Sequence, residues 1–322
     1  MKKLVLIAAV LLAAVAASAQ VKVEVVFDGE QYIANEPLTA RVRIINDSGS
    51  TLRLAETADW LDFAVRVKEN GKEGPYVRPL RPPTHVDAFP LESSKTATVR
   101  MDLSPCFNLT QVGEYQVVAT VKVPAFSTTY ASAPKTFFIV TGSRMWERPF
   151  GVPASIAAPD PSGLPEMRKY MLIQALSGKE TKFYVRLTDA QENNIKVIPI
   201  GSLISFSRPE PQLDKWSNLH VLYQIGSKAF VYTVINPNGL LIARETHEIS
   251  DTRPTMTTTD EGRIVIRGGK RRPTIDDIPP YDAAQIPADT AQPIAAPAPS
   301  ATATNSVKKP ASSANAKDKK KR

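Results

Sequence analysis

Residues 113–123 read GEYQVVATVKV, and this stretch decides the fold class. Every second residue after Gly113 is apolar. The apolar positions are Tyr115, Val117, Ala119, Val121 and Val123. A period of two is the pattern of a β-strand that buries one face, because successive strand side chains point to opposite sides. The stretch therefore predicts a half-buried strand.

The same alternation recurs through residues 20–142. It is found in residues 21–27, 38–44, 63–67, 97–103 and 137–140. Turn signals such as Asn70-Gly71 separate the segments. About seven strands in about 120 residues are typical of an immunoglobulin-like β-sandwich. Gly113-Glu114-Tyr115 resembles the start of the sixth strand in many such domains, although the cysteine pair and core tryptophan of antibody domains are missing from this sequence.

The second half of the chain also has strand patterns. Residues 143–166 contain several prolines and glycines without periodicity, which predicts a linker. Strand patterns resume in residues 167–272. The clearest hairpin there has Asn236-Pro237-Asn238-Gly239 as its turn, and a shorter one turns at Asp260–Gly262. We predict an all-β chain in which residues 167–272 form a second antiparallel β-meander domain.

The first residues resemble a leader. Residues 1–19 contain Lys2 and Lys3, then an apolar run from Leu4 to Ala17 and small residues, which predicts a signal peptide with the mature start at Gln20. The run is shorter than the about 20 residues of a transmembrane helix. We therefore expect an exported protein, periplasmic or secreted, with no transmembrane anchor in the mature chain.

Residues 273–322 have the composition of a disordered tail, rich in Pro, Ala and Lys and poor in large aliphatic side chains. The chain has a net charge of +8, of which Lys2 and Lys3 supply +2 and residues 301–322 supply +6. Residues 4–300 are therefore neutral, and we expect no specific nucleic-acid partner. The basic end of the tail suits anionic surfaces, and a purely solubilising tail explains it equally well.

The sequence offers little for catalysis or metal binding. Its three histidines, His85, His220 and His247, are not at ligand spacing, and no hydrolase elbow or phosphate loop is present. Cys106 is the only cysteine, so no intramolecular disulfide can form. We favour a buried packing role for it over a nucleophile or an intermolecular bridge. We predict no catalytic residue, no metal site and no cofactor.

Two places combine tryptophan with a carboxylate. Asp59 and Asp62 bracket Trp60, and Asp214 precedes Trp216. Either arrangement suits a sugar site, while turn caps and a tryptophan that closes the sandwich explain them without a ligand. In Asn218–Leu222, His220 alternates with Leu219 and Val221, which places it opposite the core-facing side. The candidate ligand contacts are Trp60, Asp62, Trp216 and His220.

Three further segments carry a resemblance: residues 59–63 (DWLDF), 205–211 (SFSRPEP) and 218–223 (NLHVLY). Over residues 20–272 the chain resembles exported bacterial two-domain β proteins of uncharacterised activity. The resemblance implies the layout of leader, sandwich, connector, second β module and tail. It implies no activity, cofactor or site.

We hypothesise a non-enzymatic binding or structural protein of the bacterial envelope that recognises protein or polysaccharide through its β-sheet surfaces. The alternative is a carbohydrate-active or peptide-cleaving enzyme with a site in the second domain or the interdomain cleft, because paired carboxylates leave no local spacing rule. A third hypothesis is an assembly chaperone or inhibitor that uses an exposed edge strand.

Overall fold

The structure, a computed structural model, describes residues 21–154, 156, 166–204 and 208–279. Every regular element of these residues is a β-strand, apart from one turn of 3-10 helix over Pro124–Phe126. The predicted all-β class is confirmed. Among the described residues, no helix has the length and apolar character needed to cross a membrane. The predicted leader, residues 1–19, lies outside the described residues.

The first half of the chain forms two sheets that share one core. Its strands are β1 (Val21–Phe27), β2 (Gln31–Ile33), β3 (Thr39–Asn46), β4 (Leu52–Leu54), β5 (Leu61–Glu69), β6 (Lys72–Tyr76), β7 (Phe89–Leu91), β8 (Lys95–Asp102), β9 (Gly113–Val123), β10 (Thr128–Ala131) and β11 (Lys135–Val140). One sheet has the order β1-β3-β8, and the other has the order β2-β11-β9-β5-β6 with β10 also paired to β9. The short strands β4 and β7 pair with each other.

The alternation read from the sequence places the core of this half. The apolar residues of β9, from Tyr115 to Val123, are buried against those of β1 and β3, such as Val23 and Val42, in a single cluster. Such a two-layer arrangement fits a β-sandwich, and its immunoglobulin-like detail stays a prediction.

The second half forms two further sheets and a hairpin. Its strands are β12 (Ser143–Gly151), β13 (Met167–Ser177), β14 (Glu180–Asp189), β15 (Asn194–Leu203), β16 (Glu210–Leu213), β17 (Leu219–Gln224), β18 (Ala229–Ile235), β19 (Leu241–Glu248), β20 (Thr255–Thr258), β21 (Ile264–Arg267) and β22 (Lys270–Arg271). The sheet orders are β12-β13-β14-β15 and β16-β17-β18-β19-β22, and β20 pairs with β21. Consecutive strands are mostly neighbours, as expected for antiparallel meanders.

Both large sheets of the second half are buried on two faces. Their facing sides form a core that includes Leu172, Phe183 and Val221. The other side of β13 and β14 packs on the first half, where Ile173 meets Ile33 in a separate cluster. The other side of β17 and β18 lies under the β20–β21 hairpin. The first half, the two large sheets of the second half and the β20–β21 hairpin therefore pack on one another in that order.

The predicted linker over 143–166 is wrong for its first part. Residues Ser143–Gly151 form β12, which pairs with β13 along its length. This strand is an edge of its sheet, and an edge strand tolerates Pro149 because the missing N–H faces away from the neighbouring strand. Phe150 stacks on Tyr170 with ring centroids 4.3 Å apart. Residues 155 and 157–165 lie outside the described residues.

The predicted tail over 273–322 also begins too early. The Asp277 carboxylate accepts a hydrogen bond from Thr246 Oγ1 at 3.0 Å and lies 2.8 Å from Arg271 Nη1. Ile278 exchanges two backbone hydrogen bonds with Arg244, at 2.9 and 3.0 Å. Composition missed this segment because polar contacts, and not apolar burial, hold it to β19. Residues 280–322 lie outside the described residues.

Candidate functional site

The two predicted contacts of the first half lie in different environments. Trp60 is 4% exposed and packs edge to face on Phe89 with ring centroids 5.9 Å apart, so it is part of the sandwich core. Asp62 is exposed, and its Oδ1 accepts the backbone N–H of Phe63 at 2.8 Å. Trp60 therefore has almost no surface to offer a ligand, whereas Asp62 is accessible.

The two predicted contacts of the second half come together at the turn between β16 and β17. Asp214 organises this turn, which we call the Trp216 turn (Asp214–Asn218). Its Oδ1 accepts the backbone N–H groups of Trp216 at 2.9 Å and Asn218 at 2.8 Å, and its Oδ2 accepts Asn218 Nδ2 at 2.8 Å. An aspartate that bonds its own downstream backbone in this way fixes a turn. Ser217 takes the left-handed φ of 64° that the turn requires.

His220 lies on the side of β17 opposite Leu219 and Val221, as the alternation predicts, and this side is buried as well. Its side of β17 is covered by the β20–β21 hairpin, in the cluster that contains Met256 and Ile264. His220 Nε2 lies 3.2 Å from Asp214 Oδ2, and its Nδ1 lies 2.6 Å from the Tyr232 hydroxyl. Both ring nitrogens are therefore engaged.

The charges of this network follow from its surroundings. Burial raises the pKa of Asp214, but hydrogen bonds from His220 and Asn218 outweigh it and hold the pKa below its ordinary value. Burial, with the nearby charges of Glu245 and Asp214, raises the pKa of Tyr232. Near neutral pH Asp214 is thus a carboxylate that only accepts, so His220 Nε2 carries a proton and donates it to the hydrogen bond.

The turn presents Trp216 to solvent, and this residue is 42% exposed. Lys215 Nζ lies 4.4 Å from the ring centroid, a cation–π contact. Ser217 fastens the turn to neighbouring strands, because its Oγ donates to Gly151 O at 2.9 Å and its carbonyl accepts the Tyr170 hydroxyl at 3.3 Å. An exposed aromatic ring therefore stands on a turn that is held at several points.

The same turn occurs a second time without tryptophan. Asp189 Oδ1 accepts the N–H groups of Gln191 at 2.9 Å and Asn193 at 2.8 Å, and its Oδ2 accepts Asn193 Nδ2 at 2.8 Å. Glu192 takes the matching φ of 66°. The spacing Asp-x-x-x-Asn could have predicted both turns from the sequence. The two turns differ in two respects. Asp214 also contacts buried His220, and its turn carries the exposed Trp216.

A cavity of about 100 Å³ lies in the first half, where the β2–β3 turn meets the segment after β8. Its lining residues are Ile33, Asn35, Glu36, Leu38, Leu80, Ser104, Phe107, Asn108, Leu109, Thr110 and Ile139. Glu36 is buried, and burial raises its pKa against the lowering effects of the Ile33 N–H, Lys182 and the Tyr184 hydroxyl. The sequence does not single out Glu36, because its hydrogen-bond partner Tyr184 comes from the other half of the chain.

The other residues with reactive or metal-binding side chains do not form a second site. Among the described residues, no three His, Cys, Asp or Glu side chains are grouped as a metal would require. Cys106 is buried, and burial raises the pKa of its thiol. His247 Nε2 lies 3.1 Å from Glu245, and His85 is exposed. None of these groups adds chemistry to the Trp216 turn.

No protein-family model and no curated protein matches the chain. Among solved structures, one similar chain is the sporulation control protein Spo0M from Bacillus subtilis. It has a TM-score of 0.28 and 10% sequence identity, and the match covers 52% of this chain and 80% of that chain. A similarity this low supports no inference about fold or function.

Proposed function

We propose that this chain is an exported, non-enzymatic binding protein of the bacterial envelope, which recognises a protein or a polysaccharide through the Trp216 turn. The observation that carries the proposal is the exposed Trp216 ring on a turn locked by the Asp214 carboxylate. Export rests on the leader pattern of residues 1–19, and a periplasmic or secreted location follows from it.

A rigid aromatic ring is a favourable anchor for recognition. Tryptophan supplies a large contact area and has only two side-chain torsions to fix, and a turn that is already ordered loses little entropy when a ligand binds. Lys215 beside the ring adds a cation that pairs with carboxylate or sulfate groups of a ligand.

The hydrogen bonds of the network favour a scaffold over a reaction centre. Both oxygens of Asp214 and both ring nitrogens of His220 are used within the fold. A general base needs a free lone pair within reach of a substrate proton. Asp214 and His220 therefore support the position of Trp216.

The test is a pull-down from an envelope fraction with the mature chain, followed by the variants Trp216→Gln and Gln191→Ala. Trp216→Gln replaces the ring with glutamine, the residue found at the same place in the turn fixed by Asp189. Gln191→Ala is the control, because it changes that corresponding position in the other turn. Capture of a partner that Trp216→Gln loses and Gln191→Ala keeps supports the proposal, and protein and polysaccharide are told apart by protease treatment. Equal capture by all three chains overturns it. High salt removes contacts made only by the basic residues 317–322.

The cavity beside Glu36 favours a second candidate, a carbohydrate-active or peptide-cleaving enzyme. A buried carboxyl with a raised pKa is suited to act as a general acid. Glycoside hydrolysis uses two carboxyl groups, and Glu36 is the carboxyl that lines this cavity. Turnover on glycan or peptide panels that Glu36→Gln abolishes and Trp216→Gln retains would replace the binding proposal with this one.

A further inference from the structure

Strand β8 is an open edge of the β1-β3-β8 sheet, with β3 as its partner. The Leu103 N–H donates to Leu38 O at 2.9 Å, which sets the hydrogen-bonding phase of this antiparallel ladder. In this phase Ala97, Val99 and Met101 bond to β3, so Thr96, Thr98 and Arg100 direct their backbone N–H and C=O groups outward. Within the described part of the chain, no backbone group bonds to them.

A groove of about 410 Å³ runs beside this edge. Its lining residues are Val86, Phe89, Ala97, Thr98, Val99 and Arg100. Val86 and Phe89 are partly buried against the sandwich core and give the groove an apolar side. Edge strands in stable proteins are commonly protected by proline, a bulge or a covering segment. The eight residues of β8 contain neither proline nor a register shift.

Arg100 gives the groove an unbalanced positive charge. It is exposed and stands directly opposite Arg41 on β3. Arg41 is paired with Asp28 at 2.8 Å, and Arg43 is paired with Glu24 at 3.2 Å. Arg100 has no ion-pair partner among the described residues, and like charges directly opposite one another destabilise a sheet. An added carboxylate at this place would relieve the repulsion.

We propose that β8 accepts an extended acidic segment of another protein as an additional strand. The backbone of that segment pairs with Thr96, Thr98 and Arg100, its apolar side chains enter the groove beside Val86 and Phe89, and a carboxylate pairs with Arg100. Main-chain bonds supply affinity and alternate side chains supply selectivity in this mode of recognition. A second copy of the chain is a poorer occupant, because it would bring a second Arg100 to a basic edge. The inference does not depend on the ligand of the Trp216 turn.

The test measures fluorescence anisotropy of a labelled eight-residue peptide that alternates valine and glutamate, with capped ends. Alternation places all glutamates on one face of the added strand. We expect the intact chain to bind this peptide more tightly than the same peptide with lysine for glutamate. Arg100→Glu should weaken binding of the glutamate peptide by about tenfold or more and reverse the preference. Lys22→Glu makes the same charge change on β1 and should leave both affinities unchanged within about twofold.

A backbone variant separates strand addition from simple charge attraction. Thr98→Pro removes an outward N–H that the fold does not use, so the chain should keep its circular dichroism spectrum and lose binding of both peptides. Trp216→Gln should bind the glutamate peptide as the unchanged chain does, whether or not the Trp216 turn proves to bind a ligand. The proposal is overturned if the glutamate peptide does not bind, if Thr98→Pro binds it normally, or if Arg100→Glu and Lys22→Glu behave alike. Self-association that Thr98→Pro abolishes would make a second copy the occupant and would also overturn it.

Discussion

Gly142 and Ile173 lie in contact where the two halves of the chain meet. A β-carbon placed on Gly142 would lie 2.3 Å from Ile173 Cγ2 and 3.5 Å from Ile33 Cγ2. Ile173 is buried between Ile33 and the rest of β13, so it cannot move aside. The chain therefore passes from β11 to β12 at a point where only a hydrogen atom fits.

Gly142→Ala should destabilise the protein by about 1–3 kcal/mol, because the added methyl group overpacks this junction. Urea unfolding measures the loss. Gly151→Ala is the matched control, since its β-carbon would meet nothing nearer than Met167 Sδ at 4.0 Å. In an Ile173→Ala background the cost of Gly142→Ala should shrink. Equal costs in both backgrounds would mean that the clash does not control this site.

Glu36 should make stability fall as pH rises. Its folded-state pKa is raised above the ordinary 4.5, so its contribution is complete below that value and is lost as pH passes through the raised pKa. Glu36→Gln keeps an acceptor for the Ile33 N–H and removes the charge, so it should be more stable than the unchanged chain at pH 8. Unfolding free energies at pH 4.5 and pH 8 check this.

Glu192→Gln is a control of opposite sign. The hydrogen bond and charge of Lys169 lower the pKa of Glu192, so this group contributes above its ordinary pKa and the contribution is lost in acid. A stability difference between Glu36→Gln and the unchanged chain that does not vary with pH would contradict the burial argument.

Asp214→Ala should cost more stability than Asp189→Ala. Both variants lose the same set of hydrogen bonds that fix the turn. Asp214→Ala also leaves buried His220 without its acceptor, which adds about 1–3 kcal/mol. The pKa of Asp214 is lowered in the fold, so its contribution should be present above the ordinary 3.8 and disappear as pH falls through the folded value. Equal losses for the two variants would show that His220 does not depend on Asp214.

Asp277→Ala should destabilise the protein by about 1–3 kcal/mol, although it lies in a segment whose composition predicts disorder. Its carboxylate bonds to Thr246 and pairs with Arg271. Asp276→Ala is the control, because Asp276 is the exposed neighbour. Thermal unfolding of the two variants checks the prediction, and identical midpoints would show that residues 273–279 do not hold to β19.

The sequence predicts the long strands well and the short ones poorly. The period of two in β9 and the Asn236–Gly239 turn between β18 and β19 are found as predicted. Strands of three residues, such as β2 and β4, are too short to show a period. The irregular pattern of β12 reflects an edge strand that packs only some of its side chains.

The site could be predicted only in part, because its contacts cross between strands. The sequence selects Trp216 and His220, and the structure brings both to Asp214. The sequence predicts the short hairpin at Asp260–Gly262, but its position over this side of β17 depends on how the layers stack and not on local pattern. The hydrogen bond between Glu36 and Tyr184 also depends on how the layers stack, so no local pattern predicts it.

The sheet β12-β13-β14-β15 needs partners on both of its sides. A fragment that starts at Ser143 would expose Met171, Ile173 and Val197, which the first half covers in the whole chain. A chain cut between its halves would therefore expose a large apolar surface, and it would aggregate or bind other molecules non-specifically. Binding measured with such a piece would report exposed interior, so mapping by point substitution in the whole chain is the sound route.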